Sequence, residues 1–230
     1  MTAANARERG FTLIELMISI TLVAALSTGM LFAMRSALIA YEKTDHRLQS
    51  NRRVVSVERI MAHELGGVIP VTGTCSDGST IGAFNGDAQT LHLVSTYSIA
   101  DGARGLPHVV EWQVLPIRGG GYRLIANEYP YNGPSSVGAL CSGGAYHTGA
   151  ANPQSFVLAD QLAYCRLSYM SVAPDTRMGT VWNPLWNQPN LPAAVHVDLA
   201  PQFTTATQVP LVSVTAPVHI TRDVNVPYGP

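Results

Sequence analysis

Residues 7–35 read RERGFTLIELMISITLVAALSTGMLFAMR, and this stretch decides how the rest of the chain is arranged. A small charged cluster ends at Gly10. From Leu16 to Met34, nineteen residues carry no formal charge, enough for a helix to cross about 30 Å of hydrocarbon. The run exceeds the roughly 7–15-residue core of a secretory signal, and no A-x-A-like site closes it convincingly. Arg7 and Arg9 precede it, so the positive-inside rule places the N-terminus in the cytoplasm and the bulk of the chain across the membrane. One acid, Glu15, sits near the head of the apolar run with no basic residue beside it. An acid at a helix centre in lipid costs about 2.5–3.5 kcal/mol, and less near an end. The helix dipole returns only about 0.3–1 kcal/mol there. A carboxylate in this place needs a partner or a proton.

Working outward, the helix signal continues past the apolar run. No proline occurs between Phe11 and Ile69, and the only glycine after Gly10 and before Gly66-Gly67 is Gly29. Val54, Val57, Met61, Leu65 and Val68 recur at three- and four-residue steps, one face of an α-helix. The intervening EKTDHRLQSNRR (42–53) is polar almost all round, and Gly66-Gly67 followed by Pro70 supplies the stop. The predicted division is a short charged segment at 1–10, a transmembrane helix half at 11–34, an amphipathic helix half at 35–67 and a β-rich domain at 68–230.

Beyond Gly67 the texture changes to short β-runs between Gly, Pro and Asn turns. Strands are predicted at 88–96, 108–117, 121–129, 160–170, 192–200 and 210–222. Val110, Trp112 and Val114 alternate onto one face, as do Val195, Val197 and Leu199. The expected fold is α+β: a long N-terminal helix packed on a largely antiparallel sheet. Two stretches, 129–155 and 174–192, read as long loops. The second carries Trp182 and Trp186, for which packing on the sheet and contact with another subunit both remain open.

Eight of the 14 basic residues fall within residues 1–64, and Lys43 is the sole lysine. The exported part is slightly acidic and lacks the basic stripe that binds nucleic-acid backbones. Its three cysteines, Cys75, Cys141 and Cys165, form no CxxC pair. Outside the cytoplasm one disulfide with one thiol left over is expected, Cys141–Cys165 being the favoured pair because it would tie down the 129–155 loop; three unpaired thiols are the alternative. HELGG (63–67) begins like a zinc-protease motif but lacks the second histidine. Asp77, Asn85 and Asp87 do not follow a calcium-loop pattern. No catalytic constellation, metal site or cofactor motif is found, which points away from an enzyme.

RERG followed by FTLIELMISITLVAAL resembles the class III signal of prepilins and type II secretion pseudopilins. That resemblance implies cleavage after Gly10 by a prepilin peptidase and N-methylation of Phe11. It further implies that Glu15 pairs with the terminal amine of a neighbouring subunit during filament assembly. The implied partners are major and minor pseudopilins or pilins, the peptidase and an inner-membrane assembly platform. The implied location is the bacterial inner membrane, single-pass, with a periplasmic domain. LPAAVHVDL (191–199) followed by LVSVTAPVHITRDV (211–224) looks like the end of J-type minor pseudopilins and PilW-type minor pilins. A tip-complex pseudopilin of type II secretion, a minor type IV pilin in pilus assembly, adhesion or DNA uptake, and a surface adhesin are the functions left to weigh.

Overall fold

The computed structural model describes residues 11–147, 149, 153–172, 179–203 and 213–219, with side chains of 46–54, 103 and 104 left aside. It contains α1 (Leu13–Gly66), β1 (Thr72–Thr74), β2 (Thr80–Gly82), β3 (Asn85–Gly86), β4 (Thr90–Ser98), β5 (Ala103–Pro116) and β6 (Tyr122–Pro130). There follow α2 (Pro134–Gly138), β7 (Cys141–Ser142), β8 (Ala145–Tyr146), β9 (Phe156–Val172), β10 (Thr180–Asn183), β11 (Ala194–Pro201) and β12 (Val214–Pro217). Two compact units are distinguished, one ending at Gln49 and the other beginning at Ser50.

In the first unit Leu13–Asp45 of α1 is exposed, and it is long and apolar enough to cross a membrane. Several of its hydroxyl side chains bond back to the helix. Ser19 donates to the Glu15 carbonyl at 2.7 Å, Thr21 to that of Ile18 at 2.8 Å and Thr28 to that of Ala24 at 2.7 Å. Such back-bonding satisfies hydroxyls where water is scarce.

The second unit is built on an eight-stranded sheet ordered β12–β11–β9–β6–β5–β4–β3, with β10 joined to β9. Every pairing in it is antiparallel. A bridge between Gly86 and Trp186 ties the β3 edge to the segment after β10. The long strand β9 pairs first with β6 and then with β11, and the register shifts where it does so. Gln161 lies at this change of partner with φ 53. Left-handed backbone at a non-glycine residue marks a bulge that bends the strand.

Alternation decides which face is which. Leu91 and Leu93 of β4, Val110, Trp112 and Val114 of β5, and Leu124 and Ala126 of β6 share the main core with Val57, Met61 and Leu65 of α1. The predicted helix stripe and the predicted strand faces meet there, and Val195, Val197 and Leu199 join them. The chain leaves α1 hard against β4: Val68 bridges to Ser95, and Thr96 N–H donates to the Gly67 carbonyl at 2.9 Å. A Cβ on Gly67 would press on the Ser95 hydroxyl, which would have to shift to admit a larger residue at this exit.

Two expectations need correction, and one open choice is decided. Cys141 is bonded to Cys75, and Cys165 is the free, buried thiol. The reason is topological: Cys165 lies on β9 in the main core, whereas Cys75 and Cys141 belong to a second, smaller cluster. The 129–155 stretch is not a structureless loop, because it holds α2 and the β7–β8 hairpin. Trp186 is not a surface contact but a core residue, 1% exposed, with its indole N–H donating to the Asn190 carbonyl at 2.8 Å. Of the final predicted strand, 210–212 and 220–222 lie outside the described residues, as do 174–178 of the second loop.

Candidate functional site

The first turn of α1 is set by Thr12. Threonine favours the N-cap position because its oxygens can accept the helix's unpaired amides. Here the Thr12 carbonyl accepts from Glu15 N–H at 3.1 Å and from Leu16 N–H at 3.2 Å, while its hydroxyl lies 3.4 Å from the same Glu15 amide. Glu15 is therefore the acid of the first turn. Phe11, one residue before the cap, is 83% exposed. An aromatic residue, a capping threonine and a carboxylate one turn further on lie at the head of an exposed apolar helix. Chemically this head can present an acid to a cation while its other side chains dissolve in lipid or pack on similar helices. Gly10 and the rest of the expected leader lie outside the described residues.

Residues 5–31 match the prokaryotic N-terminal methylation motif. The motif is prepilin-type. It supports a type IV pilin or pseudopilin family for this chain, a structural rather than catalytic family. It also implies processing by a prepilin peptidase and assembly with other pilins. The motif overlaps the helix that is long and apolar enough to cross a membrane, which is consistent with a membrane-anchored pilin. No curated protein matches the chain.

The remaining sequence-predicted residues belong to the second unit. Trp182 is 44% exposed on β10 and leans on His196, with ring centroids 5.5 Å apart. Asp77 spends its carboxylate on the Ser79 hydroxyl and on the amides of Ser79 and Gly143, bonds that hold its pKa below the usual carboxylate range. Asp87 likewise accepts from the amides of Gln89 and Thr90. Among the described residues no group of three His, Cys, Asp or Glu side chains could hold a metal ion.

Two buried polar sites were not anticipated. Glu64, in the HELGG stretch, is fully buried beneath the sheet. Trp112 Nε1–H donates to its Oε2 at 2.5 Å, and its Oε1 has no hydrogen-bond partner. Burial pushes its pKa up to about 8, against the opposing Trp112 hydrogen bond. The signal was present as one acid on an otherwise apolar helix stripe. His63 beside it stacks on Tyr97 at 5.2 Å.

The other site lies on the opposite face of the sheet. His92 Nε2 is 3.1 Å from Glu111 Oε1, and the same carboxylate accepts from Gly149 N–H at 2.9 Å and Asn127 Nδ2 at 3.2 Å. Burial opposes the Glu111 anion, but these hydrogen bonds outweigh it and leave its pKa below the ordinary value. Polar residues alternating with the core positions of β4, β5 and β6 were the available sign.

Proposed function

We propose that this chain is a minor pseudopilin of a type II secretion system, a non-enzymatic subunit that joins the tip complex of the pseudopilus through its N-terminal helix. The observation that carries the reading is Glu15 in the first turn of a span whose sequence is prepilin-type. Cleavage after Gly10 would create an ammonium at Phe11, held at the membrane edge. In low dielectric an amine and a carboxylate attract strongly only when both are charged, and removing one leaves the other uncompensated. The amine of one subunit and the Glu15 carboxylate of another would supply that pair. The basic residues before the span support a cytoplasmic N-terminus and a periplasmic sheet domain. The carboxy-terminal resemblance to J-type subunits supports the minor, tip-located role. The same N-terminal chemistry would serve a PilW-like minor type IV pilin, which neighbouring genes for retraction machinery would favour.

The test is in two steps. Intact-mass measurement of the membrane-extracted protein is expected to give residues 11–230 plus one methyl group. Glu15→Ala is then expected to leave cleavage and insertion intact while cross-linking to neighbouring subunits falls by at least tenfold, roughly the loss of 1.4 kcal/mol or more. Wild-type cross-linking of the alanine variant overturns the proposal.

A further inference from the structure

The two faces of the sheet are covered differently. The face toward α1 is mostly apolar and holds the main core. The other face, where residues 131–147 lie, carries buried His92, Glu111, Gln113 and Asn127. The apolar cluster on this side is small: Cys75, Ile81, Ala83, Val94, Val109, Val137 and Cys141, with a few half-buried neighbours. No member of the main core comes from 131–147.

What holds 131–147 down is mostly the β1–β2 hairpin. Gly143 N–H donates to Asp77 Oδ2 at 2.8 Å and Gly144 N–H to the Ser79 hydroxyl at 3.1 Å. The Tyr146 hydroxyl donates to the carbonyl of Gly82 at 3.2 Å, and its ring stacks on His92 at 4.2 Å. Gly138 approaches the Thr74 carbonyl so closely that a Cβ there would collide with it. Tyr131 N–H also donates to the Pro107 carbonyl at 2.9 Å, and Val137 packs with Val94 and Val109; the covalent restraint is the Cys75–Cys141 disulfide, closing a sequence separation of 66. Just past the segment, Gly149 is fixed by Glu111 and by Gln113, whose amide donates to its carbonyl at 2.6 Å. That anchored point is a natural hinge.

We propose that residues 131–147 are a cover whose closed position depends on the Cys75–Cys141 bond. Without the bond the cover lifts away, the main core stays folded, and the face bearing His92, Glu111, Gln113 and Asn127 meets water. Those side chains tolerate hydration, so the apolar surface that opening exposes is confined to the small second cluster around Val94, Val109 and Val137. Closing loses the entropy of a long loop, which the crosslink removes in advance. Formation of the bond takes two electrons and two protons from the Cys75 and Cys141 thiols. They pass by thiol–disulfide exchange to a disulfide-bearing oxidant, which leaves as a dithiol. The cover therefore closes only after the domain has reached an oxidising compartment.

Hydrogen exchange of the full chain in detergent tests this, comparing wild type with Cys75→Ala/Cys141→Ala. Amides of 131–147 are expected to exchange at least about tenfold faster in the variant, while those of β5 and β9 stay within about twofold. Unchanged protection of 131–147 overturns the proposal, and so does loss of protection across β5 and β9 or failure of the variant to fold. Wild type reduced by dithiothreitol after folding is the second sample. Once thiol titration shows two new thiols, the same contrast between cover and core is expected, and its absence is equally fatal.

Discussion

Glu64 and Glu111 are buried acids on opposite faces of one sheet, and they answer pH in opposite senses. Burial raises the Glu64 pKa from 4.5 to about 8, so the folded state holds a proton that the unfolded chain has released. Its contribution is complete below the unfolded value and is lost as pH rises through the folded one. Hydrogen bonds depress the Glu111 pKa despite its burial, so its contribution is present above the unfolded value and lost as pH falls. Stability of the wild-type domain is expected to decline between about pH 5 and about pH 8, by an amount on the order of 3 kcal/mol. Glu64→Gln keeps an acceptor for Trp112 and cannot ionise, so its urea midpoint is expected to stay level across that window. A wild-type slope persisting in the glutamine variant would refute the assignment.

At the scale of elements, the two tryptophans of 174–192 separate cleanly. Trp186 is enclosed by the main core and faces Tyr169, ring centroids 6.5 Å apart, and its backbone closes the bridge to Gly86. Trp186→Ala is expected to lose about 3–5 kcal/mol through cavity formation. Trp182→Ala, on the half-exposed β10 strand, is expected to lose less than about 1 kcal/mol. Paired urea titrations check both, and equal losses would contradict the placement. Sequence could not rank these residues, since both sit in one polar, proline-rich stretch and only the β3 contact distinguishes them. The helix stripe of Val57, Met61 and Leu65 was legible because its period is local. Strand faces at Val110–Val114 and Val195–Leu199 were legible for the same reason. The Cys75–Cys141 pair was not, because it depends on which hairpin lies over the outer face of the sheet. Glu64 was read as the remnant of a failed motif, when its neighbours on the helix already showed it facing inward.

For the whole molecule, the N-terminal motif and the β domain answer different questions. The N-terminal methylation motif at 5–31 and the long apolar helix were both legible in the sequence because lipid leaves few choices for a charge. The domain carries what distinguishes this subunit from others, and there long-range pairing rules. A large core on one face and a small, crosslinked one on the other give the sheet two layers of unequal independence. Cys165 belongs to the larger, buried with its thiol pushed up to about 12 by burial. A sulfur so placed is inert until β9 itself separates from its neighbours. In Cys75→Ala/Cys141→Ala it would be the one remaining sulfhydryl, so its alkylation rate by iodoacetamide becomes an internal clock. Slow labelling there, alongside a fast-exchanging 131–147, would time the opening of the interior separately from everything draped over it.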